Sequence, residues 1–260
     1  MKYGISSISV IPVRKESSEQ SEMLTQLLFG EVFKIILEKE KWCKIETAFD
    51  NYLGWIDKKT ATFITETEYG KHLSAKINYT GKLVNQARRI SDESTVYLPF
   101  GAVLYDFKVR KSTFVFLGEE YELLSDVFKK KGSVRDSVVV AAGSMLSCPY
   151  LWGGRNPFGI DCSGFTQLVY KVNDVALPRD ASQQVEMGRT LNFLNEAKPG
   201  DLAFFDNDEG AIVHVGILLG HNKIIHSSGK VRTDVVDHQG IFNVDLKRYT
   251  HKLRVIKTVL

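Results

Sequence analysis

Cysteine is scarce in this chain. Cys43, Cys148 and Cys162 are the three in 260 residues, an odd number with no C-x-x-C spacing. That argues against a disulfide framework and against a cysteine-rich zinc site. Long apolar runs are missing too, and none approaches the roughly 18 residues of a membrane-spanning helix. Charge of one sign is not in excess: 34 Lys and Arg face 31 Asp and Glu, a formal net charge of +3. The densest basic block is Lys129-Lys130-Lys131, which reads as a solvated linker, so neither nucleic acid nor an anionic membrane is expected as a partner. The opening MKYGISSISVIPVRKESSEQ has no apolar h-region, so the expectation is a cytoplasmic protein, periplasmic or secreted if a signal has been removed. What remains is ordinary globular composition, 43% hydrophobic and 25% charged, enough apolar material for one large domain or two to three small ones.

The first 130 or so residues read as short strands. In EVFKIILEKEKWCKIETAFDNYLGWIDKK a strand before Glu38, a turn near 39–41, a strand over Trp42–Thr47 and another over Tyr52–Ile56 make a small antiparallel meander. A weaker stretch, YLPFGAVLYDFKVRKSTFVFLGEEYELL, resembles it. Two small β-barrels are the expectation, with one irregular β domain as the alternative. At Gly132 the pattern turns helical: Val134, Val138, Ala141, Ala142, Met145 and Leu146 fall at helical spacing, with Ser133 as N-cap and Pro149 as a stop. A second helix should begin at Asp161–Cys162, its buried stripe being Phe165, Leu168, Val169 and Val172. A short helix after Pro178, over residues 179–187, precedes the strands DLAFFD, VHVGILLG, KIIHSSG and LRVIKTVL. Helices followed by an antiparallel sheet give an α+β class. The expected domains are 1–66, 67–128 and 129–260.

A cysteine at a helix start faces unpaired N–H groups and the positive end of the helix dipole, which lowers a thiol pKa. Cys162 stands there, in YLWGGRNPFGIDCSGF. A nucleophilic thiol wants a base and a group to orient the base. Of six histidines, His72, His221, His238 and His251 lie in polar or turn-like surroundings and are expected to be exposed, whereas His214 and His226 sit inside apolar strands. If those strands pair around a three-residue loop, Gly220-His221-Asn222, both imidazoles share one face; a two-residue loop would part them.

At this point the chain closely resembles the NlpC-type cell-wall peptidases of the papain-like superfamily. The matching pieces are PYLWGG, DCSGF, LPRDASQQ, KPGDLAFF, HVGILLG and IIHSSG, in that order; the papain-type C-G-[SA]-C-[WY] signature is absent. The resemblance implies a papain-like catalytic domain preceded by two bacterial SH3-like barrels, for which LLFGE, WCKIE and NYLGWID speak. It implies Cys162 as nucleophile, His214 as base, His226 as orienter and Tyr150 near the oxyanion. In a subgroup that cuts murein peptides with a free N-terminal L-Ala, the residue at Asp161 helps hold the amine. The residues at Ser163 and Arg179 there meet the D-Glu carboxylate, and Trp152 falls among the substrate-binding positions. Where some members carry a serine two residues past the arginine, this chain has Ala181, with Ser182 next to it. Tyr52, and with less weight Glu22, would be the barrel residues over the amine.

The implied reaction is hydrolysis of the γ-D-glutamyl bond to a diamino acid, mDAP or Lys, by a monomer with no cofactor and no metal. Alternatives are a general wall hydrolase, an amidase or acyltransferase on the same scaffold, or a wall-binding module with an inactive catalytic domain.

Overall fold

The structure, a computed structural model, describes residues 2–260. The chain forms two compact units: 1–129 with 153–157, and 130–152 with 158–260. Among the described residues no helix is long and apolar enough to cross a membrane.

The first unit opens with β1 (Lys2–Ile5), β2 (Val10–Arg14), β3 (Met23–Leu28), β4 (Val32–Glu38), β5 (Trp42–Thr47), β6 (Leu53–Asp57) and β7 (Thr62–Ile64). They make one antiparallel sheet in the order β3-β2-β6-β5-β4-β1-β7. Period-two alternation turns Cys43, Ile45 and Thr47 of β5 inward and leaves Trp42, Lys44 and Glu46 half-buried. The inward residues Ile11, Val13, Leu27, Phe33, Ile35, Cys43, Ile45 and Ile56 close one core.

The strand-only expectation missed a helix here, α1 (Glu66–Ser74). It starts at a capping box in which Thr65 and Glu68 satisfy each other's backbone N–H groups. Beyond it, β8 (Ile77–Tyr79), β9 (Val84–Arg89), β10 (Thr95–Pro99), β11 (Val103–Tyr105), β12 (Thr113–Phe116) and β13 (Glu119–Leu123) form two small sheets, β10-β9-β13-β12 and β11-β8. Tyr69 of α1 stacks on Tyr3 at 4.4 Å. Both join a second core with Phe29, Leu104, Phe114 and Leu123, so the first sheet shares apolar surface with the smaller ones. The segment β14 (Arg155–Asn156) completes this unit. Arg155 forms a bidentate pair with Glu31 at 2.7 and 2.8 Å, and its backbone N–H donates to the Gln26 side chain at 2.7 Å.

The second unit begins with α2 (Val134–Ser144), started by the expected Ser133 cap in a box with Asp136. Val138, Ala141, Ala142 and Met145 of the predicted stripe are buried, while Val134 and Leu146 at its ends are exposed. After β15 (Gly159–Ile160) come α3 (Cys162–Lys171) and α4 (Ala181–Gln184), the latter shorter than the expected helix. All four residues of the α3 stripe are at most 1% exposed. Then follow β16 (Arg189–Leu191), β17 (Leu202–Asp206), β18 (Ile212–Gly220), β19 (Lys223–Ser228), β20 (Lys230–Val236), β21 (Gly240–Asn243) and β22 (Arg248–Thr258). They form an antiparallel sheet in the order β16-β22-β17-β18-β19-β20-β21, with β21 also pairing to β22. A helix-then-sheet unit is the α+β arrangement expected from sequence.

Candidate active site

Helix α3 begins at Cys162 because Asp161 caps it. Asp161 has extended backbone, and its Oδ1 accepts from the Gly164 N–H at 2.7 Å. Such a cap contributes about 0.5–2 kcal/mol. The same carboxylate is gripped by Arg179, whose Nη1 donates to Oδ1 at 3.0 Å and Nη2 to Oδ2 at 2.5 Å; Nη1 also donates to the Ser163 hydroxyl at 2.8 Å. Asp161, Ser163 and Arg179 are thus one buried cluster around the start of α3.

Cys162 itself is 7% exposed. Its resting thiol departs from the helix-start expectation. Burial, reinforced by the Asp161 carboxylate, pushes its pKa up to about 11, outweighing the Val215 and Ser163 backbone N–H groups and the Arg179 charge. Desolvation penalises the thiolate more than one helix terminus favours it.

The histidines come from the β18–β19 hairpin. Ile217 pairs with Ile225 and Leu218 with Ile224, which is the register expected from sequence, but the loop differs. Gly220 pairs with Lys223, leaving a two-residue turn, His221-Asn222, with both φ values positive as a primed turn requires. A register shift between Leu218 and Gly220 inserts one extra residue in β18 and restores the parity that a two-residue turn alone would have broken. His214 and His226 therefore share a face, and His214 Nε2 lies 2.8 Å from His226 Nδ1. Gly216 stands opposite His226. A Cβ there would lie 2.9 Å from the Cβ of His226, so only glycine lets the ring seat.

Two further residues complete the site, and sequence reasoning missed both. Asp234 on β20 accepts at 3.0 Å across from His226 Nε2, and Arg232 holds Asp234 through Nε at 2.7 Å and Nη2 at 2.8 Å. The signal was present: β19 and β20 turn around Gly229 with His226 opposite Arg232, so Asp234, two residues on, shares the His226 face. The parity argument that linked the two histidines would have found it. His251 on β22 was expected to be exposed. Instead its ring stacks on His214 at 4.1 Å and 27°. His72 is half-buried against Tyr105, whereas His221 and His238 are exposed as expected.

Burial holds His214 well below the usual histidine range, and His251 and His226 add to that effect. The thiol raised and the imidazole lowered both favour the neutral forms of Cys162 and His214.

Tyr150 is placed by hydrogen bonds along the unit: its N–H donates to Gly229 O, and Val231 N–H donates to Cys148 O. Burial first, then the Cys162 and Asp161 charges, push its phenol up to about 12, so it remains a donor at neutral pH. Trp152 is 62% exposed. Ala181 is buried and Ser182 exposed. Tyr52 and Glu22 belong to the first unit. Tyr52 is half-buried in the β5–β6 turn, its N–H donating to Thr47 Oγ1, and Glu22 is an exposed residue paired with Lys15 at 3.4 Å.

Residues 147–250 match the model of the NlpC/P60 family, and residues 13–60 that of the bacterial dipeptidyl-peptidase SH3 domain. The chain is similar to the gamma-D-glutamyl-L-lysine dipeptidyl-peptidase of Bacillus subtilis, 32% identical over 222 residues covering 78% of this chain and 71% of that protein. It is also similar to dipeptidyl-peptidase 6 of Lysinibacillus sphaericus, 26% identical over 251 residues, 86% of this chain and 88% of that one. Among solved structures, an NlpC/P60 family protein from Bacillus cereus superposes with a TM-score of 0.83 over 99% of both chains at 17% identity, a likeness of fold.

Proposed function

This chain belongs to the NlpC/P60 family of cell-wall peptidases, and on that premise we propose that it hydrolyses the γ-D-glutamyl bond to a diamino acid in murein peptides with a free N-terminal L-Ala. The observation that carries the reading is the buried set Cys162, His214 and His226, with the two imidazoles 2.8 Å apart on one hairpin face. Two relatives that cover most of this chain bear names for that type of cleavage.

In this reading the Cys162 thiol gives its proton to His214 as sulfur attacks the γ-amide carbonyl. Backbone N–H groups at the start of α3 and the Tyr150 phenol stabilise the oxyanion, a contribution of about 3–4 kcal/mol for a well-placed donor. His214 then protonates the leaving amine, the thioester is hydrolysed by water, and the dipeptide departs. Asp161 meets the L-Ala ammonium while retaining Arg179, and Ser163 and Arg179 face the D-Glu carboxylate. Trp152 is assigned to substrate contact. The sheets of residues 67–128 are read as a second SH3-like barrel after the matched first one, and the chain as a monomer with no cofactor.

The test is a mass-spectrometric comparison of free L-Ala-γ-D-Glu-L-Lys and its mDAP counterpart with the same peptides acetylated at L-Ala. Release of the diamino acid from the free peptides alone supports the reading. Comparable kcat/KM on the acetylated peptides overturns the amine pocket and favours a general wall hydrolase.

A further inference from the structure

Beyond the Cys–His–His set lies a second carboxylate. The side chains of Asp234 and His226 are each 1% exposed and 3.0 Å apart. Arg232 contacts both carboxylate oxygens of Asp234, and its Nη2 also donates to Asp245 at 2.9 Å. A carboxylate clamped by a guanidinium is ionised and accepts only. Burial opposes that ionisation, yet the hydrogen bonds from His226 and Arg232 hold the Asp234 carboxyl below its usual value.

The consequence runs along the chain of contacts. Facing an acceptor-only group, His226 Nε2 must carry the proton, so its Nδ1 presents a lone pair. That lone pair is 2.8 Å from His214 Nε2, which must then carry a proton in turn. His214 Nδ1 is left as the ring nitrogen able to take the thiol proton. The reverse tautomer of His226 would aim a lone pair at a buried carboxylate and a proton at His214 Nε2. We propose that Asp234, held by Arg232, is a positioning residue that fixes the tautomers of both histidines and so selects Nδ1 of His214 as the base. The proposal rests on His214 being the base of the peptidase reaction described above.

The test combines long-range 15N–1H NMR of the histidine rings in the full-length protein with kinetics of Asp234→Asn. The carboxamide keeps the shape but can donate as well as accept, and a wrong tautomer in a comparable hydrogen-bonded base costs about 10⁴-fold in turnover. The expected result is Nε2–H for both His214 and His226 in the wild-type protein. In Asp234→Asn, a mixed or reversed tautomer should accompany a fall in kcat on the order of 10²- to 10⁴-fold, with KM within about twofold. A wild-type spectrum showing Nδ1–H on either ring overturns the proposal, and does so even if the variant does not fold. Loss of kcat with both tautomers unchanged, or an unchanged kcat, also overturns it. The spectra need no substrate, so an error in the substrate assignment leaves this result readable.

Discussion

Replacing Gly216 by alanine perturbs the site without removing any functional group. The added Cβ would lie 2.7 Å from Ile224 Cδ1 and 2.9 Å from His226 Cβ. Nonbonded carbons pack at about 3.5–4.0 Å, so close to 1 Å must be found. The Ile224 terminal methyl can rotate away. The His226 Cβ cannot, because β19 is paired on both sides, to β18 and to β20. The imidazole must therefore shift, and it is tied at 2.8 Å to His214 and at 3.0 Å to Asp234. A displacement of about 0.5 Å takes the first contact past the roughly 3.2 Å limit of a good hydrogen bond. Overpacking of this kind costs about 1–3 kcal/mol in stability, and misplacing a catalytic group by about 1 Å can cost on the order of 10²-fold in rate. Steady-state kinetics on the free tripeptide should thus show kcat down roughly 10- to 100-fold with KM little changed. Gly143→Ala is the control, since nothing lies within 4 Å of its Cβ position on α2. A Gly216→Ala enzyme with kcat within twofold of wild type would refute the argument that this glycine seats His226.

The raised thiol pKa makes a kinetic prediction. With a pKa of about 11, about 10⁻⁴ of Cys162 is thiolate at pH 7, so iodoacetamide labelling should climb tenfold per pH unit from 7 to 9; a plateau there would reveal a preformed ion pair. Burial holds His251 down to about 4 in the folded unit against about 6.5 unfolded, so the unfolded state binds the extra proton between these values and stability falls as pH drops through that window. Urea unfolding at pH 7 and 4.5 should therefore cost wild type about 2–3 kcal/mol more than His251→Phe, and an equal loss in both would contradict it. Glu31→Ala removes the carboxylate that faces the buried Arg155 guanidinium, so it should lower stability by about 3–5 kcal/mol in a denaturant melt, and a change under 1 kcal/mol would contradict the burial argument.

Much of this molecule was legible where local chemistry and periodicity agree. The Ser133 and Asp161 caps, the α3 stripe and the β4–β6 meander all follow from residue types at fixed offsets. The shared face of His214 and His226 followed from hairpin parity, although the turn was assigned one residue too many; a bulge has no signature in a strand rich in Ile, Val and Leu. Helix α1 was overlooked because its apolar face is sparse, with Tyr69 the one buried residue, yet TETE at positions 65–68 carried a readable capping box. The polar neighbours of His251 point to solvent, whereas pairing of β22 with β17 sets its ring against Phe205 and His214. The raised thiol pKa is hidden from the sequence for a related reason. A helix terminus is visible in sequence, but the surrounding burial that opposes it arises only when the sheet packs on the helix.

The central claim is that Cys162 carries the acyl group. Rapid-quench intact-protein mass spectrometry after mixing with L-Ala-γ-D-Glu-L-Lys tests it most directly. The account predicts a transient L-Ala-γ-D-glutamyl thioester localised to Cys162 by peptide mapping, release of lysine in step with it, and neither signal in Cys162→Ala. Lysine release by Cys162→Ala at a rate near wild type would contradict it.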